Sequence, residues 1–151
     1  MKEIITAPNE ILKKRCEDVK NFGDLKTVVN EIKEVLTSQP AAGLAAPQIG
    51  YSIRVFGISR LGGEPEFFVN PVFYSPKKPI ITYEGCLSIP GKTIRVQRFF
   101  EIQVTYQTLS GQKLRKKLTG VDAYVFQHEF DHLNGILITD KEVKNENEKL
   151  K

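Results

Sequence analysis

The sequence predicts an α+β fold in which short antiparallel strands, in small sheets, pack around a central C-terminal helix, with an amphipathic helix towards the N-terminus. Three observations predict it. Apolar residues recur at helical spacing between residues 25 and 36; β-branched and aromatic runs broken by Gly, Pro and Asn fill about 44–110; and helical spacing returns over a segment holding both histidines of the chain. At 151 residues, with no linker-like composition and no internal repeat, the whole of 1–151 reads as a single domain.

In chain order, Leu25, Val28, Val29, Ile32, Val35 and Leu36 form the first stripe, with Asp24 placed to cap its start and Pro40 beyond its end. Strands are expected at 53–58, 67–69, 80–83 and 102–106, where β-branched and aromatic residues cluster between turn residues. Leu109-Ser110-Gly111-Gln112 reads as a hairpin turn into a basic strand, Lys113 to Leu118. The last helix should begin at Thr119 or Gly120, with Thr119 and Asp122 as a capping pair, and should stop at Asn134-Gly135. On its wheel Val121, Val125, His128 and His132 share one side, an expected core-facing stripe. After Ile138 the chain is charged and nearly free of apolar residues, so fraying is expected there.

A composition of 40% hydrophobic and 26% charged residues excludes a disordered chain. No apolar run is long enough for a membrane span, and the first residues lack the apolar centre of a secretion signal, which points to the cytoplasm and away from membranes. Two cysteines are too few for a disulfide framework; Cys16, in a polar stretch, reads as incidental. The net charge of +4, with basic clusters at Lys77-Lys78 and Lys113 to Lys117, suits an anionic partner such as RNA. A solvated hairpin face is the simpler account of those lysines, and charge alone does not choose between them.

The chemistry concentrates in His128-Glu129-Phe130-Asp131-His132. Residues four apart share a helix face, so the two imidazoles can bind one tetrahedral ion while Glu129 reaches water beside it. Two surface histidines on an ordinary helix would have no need of that glutamate. A catalytic ion needs a third protein ligand. Glu142, Glu146 and Glu148 follow the helix, and Cys86 is the alternative, set among small and apolar residues in Glu84-Gly85-Cys86-Leu87-Ser88. Flanking Gly85 lets backbone approach another element closely. A third segment, Ala41 to Gly50, is rich in small residues and holds one neutral amide, Gln48, in apolar company.

Taken together, Gly43-Leu44-Ala45-Ala46-Pro47-Gln48, Glu84 to Ser88 and Gln127-His128-Glu129-Phe130-Asp131-His132 closely resemble, in order, the three signature segments of the peptide deformylase family. The resemblance runs from the first helix to Gly135. Ala41 stands where the family's first glycine sits, and fewer residues follow His132 than in members with a long C-terminal helix.

The resemblance implies removal of the N-formyl group from the formylmethionine of new polypeptides, with release of formate. It implies Cys86, His128 and His132 as metal ligands, Glu129 as the general base, and the Gln48 amide and Leu87 N–H as oxyanion donors. It implies one divalent ion, Fe2+ in the cell, with Zn2+, Ni2+ or Co2+ as substitutes in purified protein. Substrates are N-formylmethionyl nascent peptides, lying extended along Gly43 and Gly85, with Tyr124 and Val125 as expected walls of the methionine pocket. A Glu84–Arg98 pair is implied behind the cysteine segment. Transient contact with the ribosome surface and a monomeric state complete the expectation. Two rivals stand beside it: a zinc endopeptidase drawing its third ligand from downstream, and a non-catalytic metal-stabilised protein or RNA-binding relative that keeps the fold without turnover.

Overall fold

The computed structural model describes residues 2–60 and 63–144. Its framework is one antiparallel sheet of five strands in sequence order: β1 (Gly43–Ala45), β2 (Val55–Ile58), β3 (Glu66–Cys86), β4 (Ile89–Gln107) and β5 (Lys113–Thr119). Two helices, α1 (Leu25–Ser38) and α2 (Val121–Leu133), pack against it. The α+β class and both helices are as the sequence predicts. The strands differ from expectation: the 67–69 and 80–83 runs belong to one strand of 21 residues, and 102–106 ends one of 19. Pro71, Pro76, Pro79 and Pro90 suggest breaks, but the chain absorbs the irregularities as bulges at Val69/Val72, Tyr74/Lys77 and Glu84/Cys86. Asn70 and Ser75 take positive φ in the first two of these, and Lys78 does so just beyond the second.

The core follows from the apolar patterning. The α1 stripe, buried at every predicted position, packs with Leu44, Ile49, Val55, Phe67 and Val69. A second cluster puts Ala123, Phe126 and Leu133 of α2 against Phe56, Phe68, Ile102, Val104 and Leu118 of the sheet, with Phe126 edge-on to Phe56 and Phe68. Cys16 is part of this cluster, fully buried, with its backbone N–H donating to the Leu133 carbonyl at 2.8 Å. It is therefore a core residue, not an incidental one: its polar neighbours point outward from extended chain while its side chain points in.

The helices start where the sequence places them, with Asp24 and Gly120 at the N-cap positions, but without the expected side-chain caps. Asp24 closes a short 3-10 turn capped by Asn21 and makes no side-chain cap to α1. Thr119 ends β5, and α2 starts after Gly120, whose N–H donates to the Phe100 carbonyl; Asp122 pairs instead with Arg60 at 2.9 Å. Val121 is 70% exposed, so the core stripe of α2 runs through Ala123, Phe126 and Leu133. Beyond α2, Gly135 takes φ +72 as expected. Ile138–Lys141 then forms a 3-10 turn that buries Ile138, and Val143 N–H donates to the Arg95 carbonyl. The chain thus stays structured well past Ile138; residues 145–151 of the expected frayed tail lie outside the described residues.

Candidate metal centre and active site

α2 carries His128 and His132 side by side, their rings 5.2 Å apart, and the β3–β4 hairpin delivers Cys86 to them. The ligand atoms of the three lie within 4.8 Å of one another. A tetrahedral ion with sulfur at about 2.3 Å and nitrogen at about 2.0–2.1 Å holds those two ligands about 3.5 Å apart. Cys86 Sγ and His132 Nε2 are 3.4 Å apart, so the donor set fits such an ion. Glu142, the downstream alternative, is exposed and bridges to Val96 on β4. Glu146 and Glu148 lie outside the described residues.

Charge around the ligands favours a cation. Burial alone would lower the pKa of His128, but hydrogen bonding to Cys86 and the charges of Glu129 and Glu84 raise it to about 10. A metal ion answers the same field that would otherwise hold a proton. His132, buried deeper and beside His128 and Arg98, is pushed well below its ordinary value and offers a neutral nitrogen.

Glu84 fixes the His128 ring by meeting Nδ1 at 2.8 Å, which leaves Nε2 for the ion. Arg98, 1% exposed, donates to both Glu84 oxygens at 2.8 and 2.9 Å and to Asp131 at 2.6 Å. Lys141 closes the network on Asp131 at 3.0 Å. Burial works against the Glu84 charge, yet the hydrogen bonds from His128 and Arg98 carry its carboxyl far below the usual range. The expected Glu84–Arg98 pair is present, and it is a buried tie between hairpin and helix, not a surface contact.

Glu129 lies on the cleft side of α2, 4% exposed, with Oε1 lacking a hydrogen-bond partner among the described residues. Burial, helped by Glu84 and Asp131, raises its carboxyl to about 7 against the opposing charge of His128. Gly43 makes room for it: a β-carbon there would sit 2.8 Å from Glu129 Oε2. Gln48, 2% exposed, stands in the 3-10 turn after β1. Its Oε1 accepts from Ala45 N–H at 3.0 Å, and its Nε2 lies 3.1 Å from Ser88 Oγ and 3.6 Å from Cys86 Sγ. Leu87 follows Cys86 in the hairpin turn.

All these groups open on one cleft of about 760 Å³ whose lining includes Gly43, Gln48, Gly85, Cys86, Leu87, Tyr124, Val125, His128 and Glu129. The structure therefore brings every expected site residue except His132 to the cleft wall, and buries His132 behind that wall beside Cys86. Sequence reasoning missed two members. Ser88, fully buried, accepts from Gln48 and donates to the Ile5 carbonyl at 2.7 Å. Asp131 anchors Arg98. Both stood inside the quoted motifs, where a small hydroxyl in an apolar run and a carboxylate between two ligands were the available signals.

Residues 1–148 match the model of the polypeptide deformylase family. A peptide deformylase of Thermotoga neapolitana is 38% identical over 133 residues, covering 87% of this chain and 80% of the relative. Rice chloroplastic peptide deformylase 1B is 37% identical over 145 residues; the match covers 92% of this chain but only 54% of that longer protein. The crystal structure of the Thermotoga maritima peptide deformylase superposes with a TM-score of 0.90 at 36% identity, covering 95% of this chain and 98% of the other. A Plasmodium falciparum peptide deformylase in complex with an inhibitor gives 0.88 at 35% identity, over 94% and 90%. The chain belongs to the polypeptide deformylase family, metal-dependent hydrolases that remove the N-formyl group from newly made polypeptides.

Proposed function

We propose that residues 1–151 form one catalytic domain in which Cys86, His128 and His132 hold a divalent ion, Glu129 moves the proton, and Gln48 and Leu87 steady the oxyanion. The ion is Fe2+ in the cell, with Zn2+, Ni2+ or Co2+ able to replace it; thiolate and imidazole donors suit zinc by themselves, and the preference for iron comes from the family resemblance. When bound, the ion supplies Lewis acidity that acidifies water and polarises a carbonyl. Glu129, buried and with Oε1 unoccupied by any described hydrogen-bond donor, takes a proton from the attacking water and returns it to the departing methionine amine. Gln48 Nε2 and the Leu87 N–H donate to the charge developing on the formyl oxygen; one such donor is typically worth about 2.7–4 kcal/mol.

The N-formylmethionyl peptide lies extended against Gly43 and Gly85. β1 is an edge strand of the sheet, so its outer backbone is available to a substrate strand, and recognition through main chain leaves the residues after methionine variable. Tyr124 and Val125, one turn before His128, wall the methionine side chain. We place the enzyme in the cytoplasm as a monomer that meets nascent chains at the ribosome surface; no helix among the described residues is long and apolar enough to cross a membrane.

The observation that carries this reading is the meeting of three metal donors, a buried carboxylate and a neutral amide donor in one cleft. The test is formate release from formyl-Met-Ala-Ser by anaerobically purified, Fe2+-loaded protein. Turnover is expected from the wild type and none from Glu129→Ala with metal still bound. Equal turnover in both would remove Glu129 from its role.

A further inference from the structure

The basic segment Lys113–Lys117 takes no part in the site. It lies on β5, a free edge of the sheet. Strand alternation sends Lys113, Arg115 and Lys117 to one face, opposite Gln107, Thr105 and Gln103 of β4. β3 extends that face with Val72 across from Thr105, Tyr74 from Gln103 and Lys77 from Glu101. Val72 is 52% and Tyr74 39% exposed. The intervening residues Phe73, Val104 and Leu118 point the other way, into the cluster around α2. The outer face therefore looks away from the catalytic helix. A groove of about 550 Å³ at the Gln107–Lys113 end of the face, lined there by Thr105, Gln107, Lys113 and Arg115 and also by Tyr106 and Leu114 of the opposite alternation, shares no residue with the catalytic cleft.

Charge on this face is one-sided. Lys116, on the inner side, is committed to Glu66 at 2.7 Å and to the rings of Phe68 and Tyr106. Lys117 reaches only Glu101, at 3.8 Å, a carboxylate that Lys77 also approaches at 3.7 Å. Lys113 and Arg115 form no ion pair among the described residues. Lys77 and Lys117 thus share one acid, and Lys113 and Arg115 have none among the described residues. Lysines on a free edge also guard it against edge-to-edge pairing, and that role needs no exposed ring beside them. A single-sign row beside an exposed ring attracts a polyanion. Alternate strand residues lie about 6.8 Å apart, close to the interval between phosphates of an extended nucleic-acid strand. Tyr74 adds a stacking surface, and Gln103 and Thr105 add hydrogen-bonding groups between ring and cations.

We propose that the outer face of β3, β4 and β5 binds single-stranded RNA, with Lys113, Arg115 and Lys117 on the phosphates and Tyr74 stacked on a base. Val72 and Tyr74 are too few apolar groups to wedge into lipid, which sets RNA ahead of an anionic bilayer.

The test is fluorescence anisotropy of a labelled oligouridylate titrated with the full chain from low to physiological salt. Expected is binding that weakens with salt at a log–log slope of about −2, for three phosphates neutralised on a single strand. Lys113→Gln/Arg115→Gln/Lys117→Gln should weaken it by about tenfold or more and flatten the slope; Tyr74→Ala should weaken it about fivefold or more at unchanged slope. Formate release from formyl-Met-Ala-Ser should stay at the wild-type level in each variant; if the triple variant loses it, Lys113→Gln/Arg115→Gln replaces it. Three results would overturn the proposal: no binding at low salt, equal weakening by Lys14→Gln/Lys20→Gln/Lys26→Gln, or phosphatidylglycerol vesicles bound as tightly as RNA with Tyr74→Ala without effect.

Discussion

Single atoms decide the catalytic geometry at Gly43. The carboxylate of Glu129 lies where a methyl group on residue 43 would stand, 2.8 Å from Oε2 and 2.9 Å from Cγ. Gly43→Ala must therefore move Glu129, and a displacement near 1 Å at a reacting group costs about 10²-fold in rate. We expect kcat to fall by about that factor with metal content and Tm nearly unchanged; kinetics beside metal analysis checks it, and an unaffected kcat would show that Glu129 works from another position. Ser88→Ala removes a smaller support. Gln48 keeps its bond from Ala45 but loses the hydroxyl that aims its amide, so kcat should drop about tenfold at constant KM. At this scale the candidate groups were legible: His128, Glu129 and His132 stand out by type and spacing, and Cys86 and Gln48 through the family resemblance. Ser88, Asp131 and the burial of Cys16 were not, because a hydroxyl, a carboxylate or a thiol shows its role only through what folds against it.

Secondary-structure elements are held in register by contacts that local spacing does not reveal; the Glu84–Arg98 pair was expected only through the family resemblance, and Asp131 not at all. Arg98 on β4 joins Glu84 on β3 to Asp131 on α2, so one guanidinium ties hairpin to helix from beneath the ligands. Arg98→Met would break both buried pairs, leaving Glu84 with His128 and Thr82 and Asp131 with Lys141, a loss of up to about 3–5 kcal/mol, and would loosen the carboxylate that orients the His128 ring, lowering metal affinity about 10–100-fold. Urea unfolding and competition with a chromogenic chelator measure the two effects, and unchanged affinity would reduce the network to a structural one. The end of α2 is equally specific. Gly135 has φ +72, and a β-carbon there would lie 2.4 Å from the Lys13 carbonyl oxygen. Gly135→Ala should cost about 2–4 kcal/mol in unfolding experiments, from left-handed strain plus forced displacement of the N-terminal segment. The glycine stop of this helix was readable in sequence, as was the α1 stripe. The two long strands were not: their prolines and positive-φ residues look like strand ends, whereas pairing across the β3–β4 ladder carries the chain through them.

The whole molecule is organised so that three distant segments meet at one ion site: the turn after β1, the β3–β4 hairpin and α2. Only Cys86 among the ligands comes from outside the helix, so metal occupancy and tertiary closure are linked. An ion that binds the folded chain alone stabilises it by about 4.1 kcal/mol when present at roughly a thousand times its Kd, which for a chain of this size is a Tm change on the order of 10 °C. Chelation should therefore lower the Tm by about that amount, and restored Fe2+ or Zn2+ should recover it. The variants separate the competing ligand sets. Cys86→Ala should abolish both stoichiometric metal and the chelator-sensitive Tm difference, whereas Glu142→Ala should keep both, since Glu142 faces solvent beside Val96. If Cys86→Ala retained metal and Glu142→Ala lost it, the third ligand would come from downstream of α2, and the endopeptidase reading would regain its basis.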